Sequence, residues 1–106
     1  MKRIPASRKF RDYLLKSLKK PALAAEYINA AMQEKEVDFL LTALRDVAEA
    51  QGGMTALSRK SRLNRANLYE MLSGRGDPRM HTLESVLRVF GLRLAVMPAT
   101  HLHRAA

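Results

Sequence analysis

Between residues 64 and 73 the chain sets out, at helical intervals, side chains able to meet the edges of base pairs. Arg65 offers the forked donors that match O6 and N7 of guanine. Ala66 offers a methyl surface suited to thymine, and Glu70 an acceptor for the amino group of cytosine. Asn64, Tyr69 and Ser73 suit either a base edge or a phosphate and complete the candidate base-contacting set. Thr55, Arg62, Asn67, Arg75 and Arg79 flank it and suit phosphate contacts, which fix register without reading sequence. No comparable set for catalysis can be assembled, so the chain is not expected to be an enzyme. Its histidines are His81, His101 and His103; the last two form an i, i+2 pair in the tail that is not expected to hold a metal. No glycine-rich phosphate loop follows a strand, and no cofactor is expected.

For those residues to share one face, 65–73 must form a helix. At about 100° per residue, Leu68, Met71 and Leu72 fall in one arc while Arg65, Ala66, Tyr69, Glu70 and Ser73 fall in the other. Asn64 is a favoured N-cap for it. A second short helix, 54–61, precedes it through Leu57, with only Arg62-Leu63-Asn64 between. Two helices this short need neighbours to hold them. Val37, Leu40, Leu41, Leu44, Val47 and Ala48 predict a longer amphipathic helix before the pair, ended by Gly52-Gly53. Leu83, Val86, Leu87 and Phe90 predict one after it, stopped by Gly91. Upstream, Phe10, Tyr13, Leu14 and Leu18 mark a basic helix over about 7–19, and Pro21 opens another reaching about Gln33. Downstream, the alternation of Leu92-Arg93-Leu94-Ala95-Val96 predicts a short strand ended by Pro98.

Composition agrees with helices packed on helices. The chain has 106 residues, 47% of them hydrophobic, without Trp, so Leu, Ala, Val, Ile and Met must build the core. The absence of Cys excludes disulfides and thiolate metal sites. There is no apolar window of membrane-spanning length and the opening residues do not read as a signal peptide, so a cytoplasmic protein without a membrane role is expected. The net charge of +9 is unevenly spread. Residues 1–20 and 54–79 are basic, whereas 21–53 hold Glu26, Glu34, Glu36, Asp38, Asp46 and Glu49 against Lys35 and Arg45. Two basic blocks around an acidic one point to a polyanionic partner, nucleic acid first.

Several stretches together resemble a known family. They are Tyr27-Ile28-Asn29-Ala30-Ala31, Leu41-Thr42-Ala43-Leu44-Arg45-Asp46-Val47-Ala48, Gly53-Met54-Thr55-Ala56-Leu57-Ser58, Leu63-Asn64-Arg65-Ala66-Asn67-Leu68-Tyr69, Gly76-Asp77-Pro78, and Thr82-Leu83 through Val89-Phe90-Gly91-Leu92. From about Phe10 to Pro98 the chain resembles the addiction-module antidote proteins, lambda-repressor-like (XRE) helix-turn-helix antitoxins of type II toxin–antitoxin systems. The resemblance implies an all-α, five-helix helix-turn-helix domain with an N-terminal helical extension and a short C-terminal β-strand. It implies a homodimeric repressor that binds double-stranded operator DNA, autoregulates its operon and neutralises a RelE-like toxin. Two other readings remain open: a stand-alone phage-type regulator, and a toxin-binding module with little DNA binding. The expected layout is a basic arm and extension over 1–35, a DNA-binding domain over 36–98 and a flexible tail over 99–106. Phe10, Tyr13, Leu14 and Leu18 are candidate partner-binding residues, unless they fold back on the domain. The turn position that such motifs often fill with glycine is Arg62, where a left-handed backbone costs roughly 1 kcal/mol or more and a differently shaped turn is the alternative.

Overall fold

The computed structural model describes residues 4–73 and 77–99. They form α1 (Ile4–Ser17), α2 (Pro21–Met32), α3 (Val37–Ala50), α4 (Gly53–Ser61), α5 (Arg65–Leu72) and α6 (Met80–Val89). Helix α3 is the centre: α1, α2, α4 and α5 all pack on it, and α6 closes the far side against α4. Its inward stripe of Leu41, Leu44, Val47 and Ala48 is buried with Leu18, Ala24 and Ile28 on one side. Leu57, Leu68, Leu72, Val86 and Phe90 continue the same core on the other. At about 25 cal/mol per Å² of apolar surface, such a shared core gives the short helices α4 and α5 the stability they lack alone.

Local chemistry sets the boundaries. Lys20 is extended ahead of Pro21, which takes the first position of α2 where no N–H is needed. After α3 the chain turns through Gly52 and Gly53, both with positive φ. A Cβ on Gly52 would stand 3.0 Å from that of Ala56, so the turn requires glycine twice over. Helix α6 ends in a Schellman motif: Gly91, at φ 81°, donates to Arg88 O at 3.0 Å, and Leu92 N–H donates to Leu87 O at 2.8 Å.

The N-terminal helices are fastened to α3 by a polar cluster. Asp46, only 6% exposed, accepts from the Tyr27 phenol at 2.6 Å and pairs with the Arg11 guanidinium at 2.9 Å. Arg11 also donates to Glu49 at 2.7 Å. Burial first, and the Asp46 carboxylate second, push the Tyr27 hydroxyl up to about 12. The hydrogen bonds to Glu49 and then Asp46 raise Arg11 above its ordinary value. The basic first helix is thus laid on the acidic outer edge of α3.

Two expectations need correction. Among the described residues there are six α-helices on one core in place of a five-helix domain with an extension, because residues 4–32 fold as two helices against α3. Among the described residues there is no strand. Leu92–Val96 is an extended stretch with no partner strand; Leu92 and Leu94 lean on the core, and Val96 is 98% exposed. Its alternation records one side lying on the core, which mimics a strand without any ladder. No helix among the described residues is long and apolar enough to cross a membrane.

Candidate nucleic-acid interface

The turn between α4 and α5 is built from its own serines. Ser58 Oγ donates to Leu63 O at 2.8 Å, and Leu63 N–H donates to Ser61 Oγ at 3.2 Å. Arg62 N–H closes α4 on Ser58 O at 3.0 Å. Arg62 itself sits at φ 65°, ψ 18°, and among the described residues it is the one non-glycine with positive φ. The chain therefore keeps the left-handed turn and carries the roughly 1–2 kcal/mol cost of a Cβ there. Asn64 is then extended, and its Oδ1 accepts from Asn67 N–H at 2.8 Å, capping α5.

Helix α5 buries one side and exposes the other. Leu68, Met71 and Leu72 are in the core, whereas Arg65, Ala66, Asn67, Tyr69, Glu70 and Ser73 are exposed. Arg65 Nη2 donates to Tyr69 Oη at 3.3 Å, with its guanidinium carbon 5.7 Å from the ring centroid. The two side chains thus meet on the outer face, one turn apart. Ser73 Oγ donates back to Glu70 O at 2.8 Å, which turns its hydroxyl hydrogen toward its own helix.

The phosphate candidates lie around this face. Thr55 and Arg62 are exposed at the start and end of α4. Asn67, Glu70, Met71, Asp77 and Arg79 line a cleft of about 220 Å³ between α5 and the start of α6. Arg75 lies outside the described residues, as do His101 and His103. Of the candidate partner-binding residues, Leu18 is in the core, Leu14 is half-buried against it, and Phe10 and Tyr13 stay exposed. Among the described residues no group of three or more His, Asp or Glu side chains could hold a metal ion.

One residue that helps position α5 enters the sequence pattern only as a charge. Arg45, on α3, donates to the carbonyl oxygen of Leu72, the last residue of α5, and to Thr42 Oγ1 at 3.2 Å. A cation at this end of α5 satisfies a free carbonyl and opposes the helix dipole, so α3 fixes the angle at which α5 stands. The signal was a single Arg on an otherwise acidic helix face. Arg45 also borders an apolar groove of about 380 Å³ lined by Met54, Tyr69 and Leu72 among others.

Comparison with known proteins adds lineage to this geometry. The family described as "probable addiction module antidote protein" matches residues 10–98. An uncharacterized protein of Haemophilus influenzae (strain ATCC 51907 / DSM 11121 / KW20 / Rd) is 34% identical over 70 residues, covering 66% of this chain and 71% of that protein. No solved structure matches the chain.

Proposed function

The chain belongs to the family of probable addiction-module antidotes, and from that premise we propose that it is an antitoxin that represses its own operon through α4 and α5. In this reading it is a lambda-repressor-like helix-turn-helix protein of the XRE type, working in the cytoplasm as a homodimer on an inverted repeat. Its toxin partner is RelE-like, and its α5 enters the major groove N-terminus first. The observation that carries the DNA reading is the polar face of α5: six exposed residues, Arg65 to Ser73, over a fully apolar back. At the N-terminal end of that face Arg65 and Tyr69 pair with each other, next to the left-handed turn at Arg62.

Arg65 serves guanine, Ala66 a thymine methyl and Glu70 a cytosine amino group. Asn64, Tyr69 and Ser73 lie at the margins of that contact. Thr55, Arg62, Asn67, Arg75 and Arg79 contact phosphates on either side. Half-sites are then about 34 Å apart, one turn of duplex.

The test is a mobility-shift series on the duplex upstream of the chain's own gene, at several salt concentrations with unrelated competitor DNA. A specific complex is expected that survives competitor, with a log–log salt slope of about −4 to −9 for the two subunits together. Binding no tighter than to competitor would overturn the repressor reading and leave an antidote with little DNA binding.

A further inference from the structure

The α2–α3 end of the molecule presents a second surface, separate from α5. Met32, the last residue of α2, is 47% exposed, and Phe39, in the first turn of α3, is 51% exposed. The four-residue turn 33–36 keeps both at one end of the helical hairpin. Around them Glu34, Glu36 and Asp38 are exposed and form no ion pair with any described residue; Lys35 is the single cation in the turn. The remaining acids of α3 are engaged, since Asp46 and Glu49 both hold Arg11. In a chain of net charge +9, this end is acidic and also exposes an aromatic and a thioether.

Resting on the antidote reading, we propose that this end is where the toxin docks. The occupant is a protein surface with an apolar slot for Phe39 and Met32 and a cationic rim for Glu34, Glu36 and Asp38. Charge decides among occupants. Duplex DNA is repelled by the carboxylates. A second copy of the chain across a twofold axis would bring two patches together, each with Glu34, Glu36 and Asp38 against the single cation Lys35, an excess of negative charge on both sides. A basic partner alone turns both features to advantage, with the charges guiding encounter and the buried aromatic slowing release. Asp38 precedes Arg45, the contact with α5, by seven residues, about 10 Å along the axis. The toxin and the DNA therefore address different ends of α3.

The experiment is calorimetric titration with the protein encoded beside this chain in its genome, using wild type, E34Q/E36Q/D38N and F39S. Helix content and thermal melting of each variant serve as the folding control, since all four side chains are exposed. The wild type is expected to bind, more weakly as salt rises. The triple variant should bind at least about tenfold more weakly and lose most of that salt dependence, and F39S should lose about tenfold or more. Folded variants that bind as tightly as a binding wild type would overturn the surface alone. A wild type that does not bind its neighbour would overturn the antidote reading and the surface with it. If F39S leaves toxin binding intact but splits a wild-type dimer, the patch belongs to a second copy and the proposal fails.

Discussion

Replacing Arg62 with Gly should separate stability from DNA binding with opposite signs. At φ 65° the Arg62 Cβ crowds the following carbonyl, a cost of about 1–2 kcal/mol. Glycine removes that cost but loses about 0.5–1 kcal/mol more backbone entropy on folding. The guanidinium is exposed and, among the described residues, in no ion pair, so its removal takes little from the fold. The net expectation is a gain of about 0.5–1 kcal/mol, or roughly 2–8 °C in Tm for a domain of this size. If Arg62 contacts a phosphate, the same change weakens binding to all duplexes alike and lowers the salt slope by about 0.9 per subunit. R62K keeps the charge and the strained backbone, so it should leave both quantities near wild type. Thermal melting and a salt series of mobility shifts read the two effects. A lower Tm for R62G would refute the strain argument, and undiminished DNA affinity would refute the phosphate role.

Two further perturbations address the supports of the site. Tyr27 has its hydroxyl raised to about 12, against about 10 in an unfolded chain, so folding favours the neutral phenol. That contribution is whole below pH 10 and is lost as pH rises from 10 to 12; full burial would make it worth about 3 kcal/mol, and water at the half-exposed ring screens it to about 1 kcal/mol. Y27F should be about 1 kcal/mol less stable at neutral pH and should lack this alkaline loss in pH-dependent denaturant titrations; a wild-type curve flat from pH 10 to 12 would count against the cluster. Gly91→Ala places a Cβ at φ 81°, in ordinary contact with Pro21 at 3.6 Å, and with the entropy that alanine returns set against the left-handed cost, denaturant unfolding should show a loss of about 0.5–1 kcal/mol with unchanged DNA preference.

Much of this arrangement is legible in local pattern. The apolar stripe of α3 is regular because the helix is packed on by four others, and periodicity reports that directly. Asn64 could be read as a cap because capping needs only a side chain three residues from its donor. The two faces of α5 follow from the same spacing. Contacts between distant residues leave no such trace. Arg11 and Tyr27 reach Asp46 from 35 and 19 positions away, and Arg45 reaches Leu72 across 27. Leu18 is indistinguishable by type from a partner-facing leucine until α1 is laid on α3. The segment 92–96 misleads for a different reason: alternation marks which side of an extended chain is dry, and it is silent on whether another strand lies alongside. For Arg62, the two open shapes of the turn could not be separated without the backbone angle.

The central claim is that the outward face of α5 reads base pairs, and selection of bound sites from a pool of random duplexes tests it most directly, run in parallel for wild type and Arg65→Ala. Wild type should enrich an inverted repeat with half-sites about one helical turn apart, and the variant should lose preference at one position in each half while keeping the rest, a change of about 1–3 kcal/mol at that base pair. An unenriched pool, or the same motif with equal strength from both proteins, would contradict it.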